Sequence, residues 1–275
     1  MAEIVGWFSL KGGAHIPIMK GQTKAEAAKK YYASKHGKTV AKLSSKTGTK
    51  KSGIESEVDS VLKKGEELDS MFQDSKYENS SDKGQAIAND FYNKLGYGDK
   101  PEVISKEAYQ KELKTNNLGE ICRGIEADDT RMESYMKQYK EGELHTSGSG
   151  SSAFGRGIYA FVGENAEERA HGYGEHIMRC MLKNDSKIIS NDEIANKRKS
   201  ILDNITQKRD KQVDRAFNEN NKELYTKAND SYNKSMHILS DSGYLAATLG
   251  YDAIIDKRQG VLVILNRKKM IFSDG

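Results

Sequence analysis

Cysteine is scarce in this chain. There are 2 in 275 residues, Cys122 and Cys180, far apart and without a Cys-x-x-Cys pair. That argues against a disulfide framework and against a cysteine-based zinc site, and it fits a reducing compartment better than an oxidising one. The 6 histidines are scattered without ligand spacing, so no metal is expected. Long apolar runs are missing too. Nothing approaches the ~20 residues needed to span a bilayer, and the opening MAEIVGWFSLKGG lacks the basic start and unbroken apolar stretch of a secretory leader. No membrane partner is expected. Nor is there a dominant sign of charge: 44 Lys+Arg face 40 Asp+Glu, a net +4 spread along the chain. It reads first as solubility, and nucleic acid is the lesser of the partners considered.

The common nucleotide-binding and hydrolase signatures are also absent. GSGSSAFGRG has the wrong glycine spacing for a dinucleotide fingerprint, and it lacks the Gly-Lys-Ser/Thr ending of a P-loop. Ser149, the only serine there with a glycine on each side, lacks the five-residue pattern of a nucleophile elbow.

What is present is a polar chain with enough apolar content for a core, 36% hydrophobic against 31% charged. IVGWFSLKGGAHIPIM reads as a hairpin about Gly12-Gly13. Thr23 and Glu26 have capping-box spacing, so a helix is expected over 24–36, followed by a small, basic, loop-like stretch. Val58, Val61, Leu62, Leu68, Met71 and Phe72 share one helical face, and Ile87, Phe91 and Leu95 another, stopped by Gly96. Beyond Pro101 the character changes to strands: LGEICRGI, GIYAF, HIMRCMLK, GYDAIID and GVLVILN, with helical DTRMESYMKQYKEG after the first. One long helical stripe interrupts them, from Ile194 to Leu239, with Asn218–Asn221 as its expected break. This pattern predicts an α+β protein. It has an N-terminal hairpin and helical region over 1–100 and a sheet domain over 101–275, with a helical insertion at about 191–239.

The run AFGRGIYAF…ENAEERAHGYG resembles a segment of poly(ADP-ribose) polymerases and diphtheria-type toxins, in which Phe-Gly-x-Gly-Ile-Tyr precedes a second tyrosine. ICRGI is similar to the Arg-Gly strand that opens the arginine-type branch of the same ADP-ribosyltransferase superfamily. SDSGYLAATLGYDAIID…VLVILNRKKM, with the opening FSLKGGAHIPIMKGQTKAEA, resembles the ADP-ribosyltransferase domains of bacteriophage minor head proteins. The resemblance covers about residues 1–36 and 100–272, leaving the insertion outside.

The resemblance implies a split-sheet ADP-ribosyltransferase-like fold with NAD as co-substrate. A bacterial host protein would be the acceptor, virion head or portal proteins further partners, and the location the virion or the host cytoplasm. The residue chemistry suits that reading. A glycine lets main-chain N–H and C=O groups approach a carboxamide, which points to Gly124. Arg123 carries a permanent forked cation suited to the pyrophosphate. Tyr159 and Tyr173 offer flat walls for nicotinamide, with His171 as the alternative to Tyr173. His145, Thr146 and Ser147 would hold ribose hydroxyls or the strand below, and Phe154, Gly155 and Gly157 would fold the chain tightly on the ligand. Transferases of this kind place a glutamate at the start of a late strand. Here Gln259 and Gly260 stand there, with Asp256 shortly before and Glu126 as a more distant alternative. Arg123, Tyr159 and Gln259 are therefore the expected catalytic set. Plain NAD hydrolysis, and a virion attachment role with a degenerate transferase fold, are the competing readings.

Overall fold

The two strands expected around Gly12-Gly13 pair antiparallel, β1 (Ile4–Ser9) with β2 (His15–Met19), in a register that sets Trp7 opposite Pro17; the turn itself lies outside the described residues. The computed structural model describes residues 53–78, 83–141 and 153–274, the backbone of 4–9 and 15–19, and the single positions 21, 23 and 27. The expected helix over 24–36 and the basic stretch after it lie outside the described residues. The chain divides into two units at Ser52/Gly53, not at residue 100. The reason is packing: the helices after Gly53 bury their apolar faces in the same core as the later strands.

The first of them, α1 (Gly53–Gln73), buries Val58, Val61, Leu68 and Met71. A helix α2 (Lys83–Lys94) buries Ile87 and Phe91, and Gly96 follows it with φ +79. Next come β3 (Glu102–Ile104), α3 (Lys106–Leu113), β4 (Ile121–Ile125), α4 (Asp129–Glu141), β5 (Ile158–Phe161), α5 (Ala166–His171) and β6 (His176–Leu182). After β7 (Ile188–Ser190) the insertion forms a helical hairpin, α6 (Asn191–Asn218) and α7 (Lys222–Leu239). Its turn falls at the expected asparagines, with Asn220 at φ 48. The chain closes with α8 (Ser242–Thr248), β8 (Ala253–Asp256), β9 (Val261–Ile264) and β10 (Met270–Ser273). Among the described residues no helix is long and apolar enough to cross a membrane.

The strands make one mixed sheet in the order β3-β10-β6-β4-β5-β9-β8-β7, so the fold is α+β. Its ladder is nearly severed in the middle. β4 pairs with β6 over five residues and β5 with β9 over four, but β4 and β5 share one registered pair, Cys122 with Phe161. Side-chain alternation shows what this does. Ile121, Met178, Cys180, Leu182 and Phe272 from one half share a buried cluster with Ile158, Ala160, Leu262 and Ile264 from the other. The two halves thus share one buried face across that pair. The outer face of the β3-side half carries α3, through Tyr109 against Met181 and Ile271, and α5, through Ala166 and Ala170 against Cys122. The outer face of the β7-side half carries α1, α2, the hairpin and α8. Where α1 crosses α7, a Cβ on Gly65 would lie 2.7 Å from the Lys234 carbonyl oxygen, so glycine sets how closely these helices approach.

Candidate functional site

Beyond the Cys122–Phe161 pair, β4 and β5 part. Counting on from that register sets Ala160 against Arg123 and Tyr159 against Gly124, with no ladder between them. The residues the sequence singled out as Arg-Gly and as the first tyrosine therefore border one crease. Arg123 points inward between the two halves, where its Nη1 donates to the Tyr159 carbonyl oxygen at 2.6 Å. Its Nε is buried without a hydrogen-bond partner among the described residues. Tyr139 of α4 lies beside it. Burial raises that phenol above its ordinary range, and Arg123 pulls the other way.

Gly124 faces outward, under the C-terminal turn of α5. A Cβ there would run into the Ala170 carbonyl oxygen and come within 3.0 Å of Gly174 N. The missing side chain thus admits the protein's own backbone on that face. The Ala170 carbonyl also accepts from Tyr173 N at 2.9 Å, so the same turn sets the second tyrosine. Tyr173 is 70% exposed, with its ring centroid 5.3 Å from that of Phe161. It lines an open hollow of about 660 Å³ together with Glu126, Asp128, Arg131, His171 and Glu175. Both tyrosine alternatives, Tyr173 and His171, and the outlying carboxylate Glu126 therefore meet in one place.

The glycine stretch that precedes β5 lies at the other end of that strand. Tyr159 turns its hydroxyl back onto it, donating to the Gly155 carbonyl oxygen at 2.7 Å and accepting from Phe154 N at 3.0 Å. Burial raises the Tyr159 phenol, and the Phe154 bond opposes that. Gly155 fits against Gly243, and Gly157 against Val263 and Ile264. Asp241, the cap of α8, completes the junction by accepting from Arg156 N at 3.0 Å. Tight folding of this stretch was expected against a ligand; here it occurs against α8 and β9. His145, Thr146 and Ser147 lie outside the described residues.

Gln259 is exposed in the β8–β9 turn, its N–H donating to Asp256 Oδ1 at 2.9 Å. Asp256 borders a separate hollow of about 330 Å³ with Ser190 to Glu193, Lys257 and Arg258. The turn nonetheless reaches the closed end of the crease, because the Gly260 carbonyl accepts from Val162 N at 3.0 Å. The residue found there was not expected from the sequence. Arg169 of α5 stacks on Phe161, guanidinium carbon 4.5 Å from the ring centroid, with its Nη1 over Gly260. Nothing in ENAEERAH sets this arginine apart from its charged neighbours; the sheet register brings it there. A second unforeseen group holds α5 itself: Arg179 on β6 bridges Glu120 at 2.9 Å and Glu167 at 2.5 Å. Among the described residues no cluster of histidine, cysteine and carboxylate groups could hold a metal ion.

No protein-family model matches this chain, and neither does any curated protein or solved structure.

Proposed function

We propose that this protein is a mono-ADP-ribosyltransferase of phage type. It cleaves NAD, releases nicotinamide and moves ADP-ribose onto a bacterial host macromolecule, with protein the favoured acceptor. The observation that carries the reading is the parting of β4 from β5 just past the Cys122–Phe161 pair, which leaves Gly124 opposite Tyr159 with Arg123 fixed between them. A strand edge relieved of its neighbour offers main-chain donors and acceptors to a carboxamide. Phe161 and Tyr173 supply flat apolar surface at the same end. In this reading the bond between nicotinamide and ribose breaks with its electrons leaving on nicotinamide. The ribose carbon becomes oxocarbenium-like, and an acceptor nucleophile forms the new bond and gives up its proton. The Gln259 side chain is the neutral hydrogen-bonding group in the region where the resemblance implies a carboxylate. Residence in the virion and delivery into host cytoplasm belong to the same proposal, which rests for them on the resemblance alone.

Incubation with labelled NAD and bacterial lysate tests it, following free nicotinamide and label on macromolecules together. Both should appear, and Arg123→Ala should lower nicotinamide release by about a hundredfold or more, the scale of removing one fixed hydrogen-bond donor from an active site. Nicotinamide without transferred label would identify an NAD hydrolase. Full activity in the variant would remove the site assignment, and absence of both products together with no NAD binding would leave an attachment role.

A further inference from the structure

We infer that Arg169 is an anion-binding residue, taking phosphate oxygens of a ligand where α5 meets the β8–β9 turn. The geometry stands by itself; naming the dinucleotide as occupant rests on the proposed NAD reading. Stacking on Phe161 at 4.5 Å fixes the plane of the guanidinium and leaves its N–H edges to point sideways. One edge lies over Gly260, where φ is +53 and a Cβ would come 2.6 Å from Nη1. A side chain at that position would have to displace the guanidinium.

The charge there is uncompensated. Arg131, Arg179, Arg209, Arg215 and Arg258 each pair with a carboxylate. Among the described residues Arg169 has no such partner, although Glu167 and Glu168 precede it in its own helix. Glu167 is taken by Arg179 at 2.5 Å. Arg169 is also half-buried. A permanent cation partly withdrawn from water and lacking a counter-charge favours an anion, and a forked guanidinium favours phosphate oxygens. Phe161 touches both Arg169 and the exposed Tyr173, so a flat ring on the tyrosine and a phosphate on the arginine would lie side by side. The pyrophosphate of a dinucleotide and a free polyphosphate share this chemistry.

Calorimetric titration of the full chain with inorganic pyrophosphate, NAD and nicotinamide riboside separates them. Wild type should bind pyrophosphate. Arg169→Gln should weaken pyrophosphate and NAD by about tenfold or more while leaving the phosphate-free riboside unchanged. Arg169→Lys, which keeps the charge without the planar fork, should lose several-fold. Failure of wild type to bind pyrophosphate, or unaltered pyrophosphate binding by Arg169→Gln, overturns the inference. Should that variant not fold, Arg169→Lys decides, and wild-type affinity in it would be equally fatal. Pyrophosphate binding without NAD binding sinks the NAD reading and keeps the anion site. Weakened pyrophosphate binding with NAD binding untouched by Arg169→Gln keeps the anion site and removes the dinucleotide as its occupant.

Discussion

A methyl group at Gly124 would collide with the Ala170 carbonyl oxygen, and both that residue and Gly174 are main chain that cannot swing aside. Gly124→Ala should therefore cost about 1–3 kcal/mol, the usual scale of overpacking, read as a lower urea midpoint with unchanged slope. The sequence could signal that glycine was wanted beside Arg123. It could not say what approaches it, because Ala170 and Gly174 lie more than forty residues away and meet it through the antiparallel register of β4 and β6. Arg123 was legible as a forked cation at a strand end. Its direction was not, since alternation sends it inward while Gly124 faces out. Arg169 carried no signal at all: its neighbour Phe161 is eight residues earlier, and its companion Gly260 belongs to a strand turn far down the chain.

Elements with a long apolar period were the most readable. The stripes of α1, α2 and the α6–α7 hairpin lie where the residue spacing puts them, and the hairpin turns at the asparagines. Short elements escaped notice. β3, β7 and β10 have three or four residues each, and α3, α5 and α8 no more than eight, too few for a period to repeat. The three missed strands owe their place to partners, β7 to β8, β3 to β10, and β10 to both β3 and β6, rather than to local preference. The start of α6 shows what a local signal does when it is present. Ser190 caps the helix by accepting from Glu193 N at 3.2 Å, and Glu193 reaches back to Ser190 N at 3.0 Å. Ser190→Ala should lower stability by about 1 kcal/mol, measurable by thermal melting, and leave any NAD turnover unaltered.

Across the whole molecule, ionisation favours the fold in a window between acid and alkali. Asp90 is held below the ordinary carboxylate range by the Tyr77 hydroxyl, Asp99 by Lys268, Glu167 by Arg179, Asp185 by Lys269 and Glu193 by Ser190. Carboxyls that are harder to protonate when folded contribute stability above their unfolded pKa, near 4, and lose it as pH falls through the lower folded values. Burial raises the phenols of Tyr92, Tyr109, Tyr139 and Tyr244. Their contribution is intact below about pH 10 and is lost above it, as the unfolded chain ionises first. Urea midpoints should run level from about pH 5 to about pH 9 and fall on both sides. A steady rise toward pH 3 would contradict the carboxylate part, and a midpoint unmoved at pH 11 the phenol part.

The lone rung between Cys122 and Phe161 gives the eight-stranded sheet a spine like that of a book. Each cover keeps its own hydrogen bonds however far the pages part. Any breathing between them turns about that rung, so displacement grows with distance from it. Arg123's bond to the Tyr159 carbonyl then acts as one clasp beside two others, the buried cluster the covers share and α5 seated on both Cys122 and Phe161.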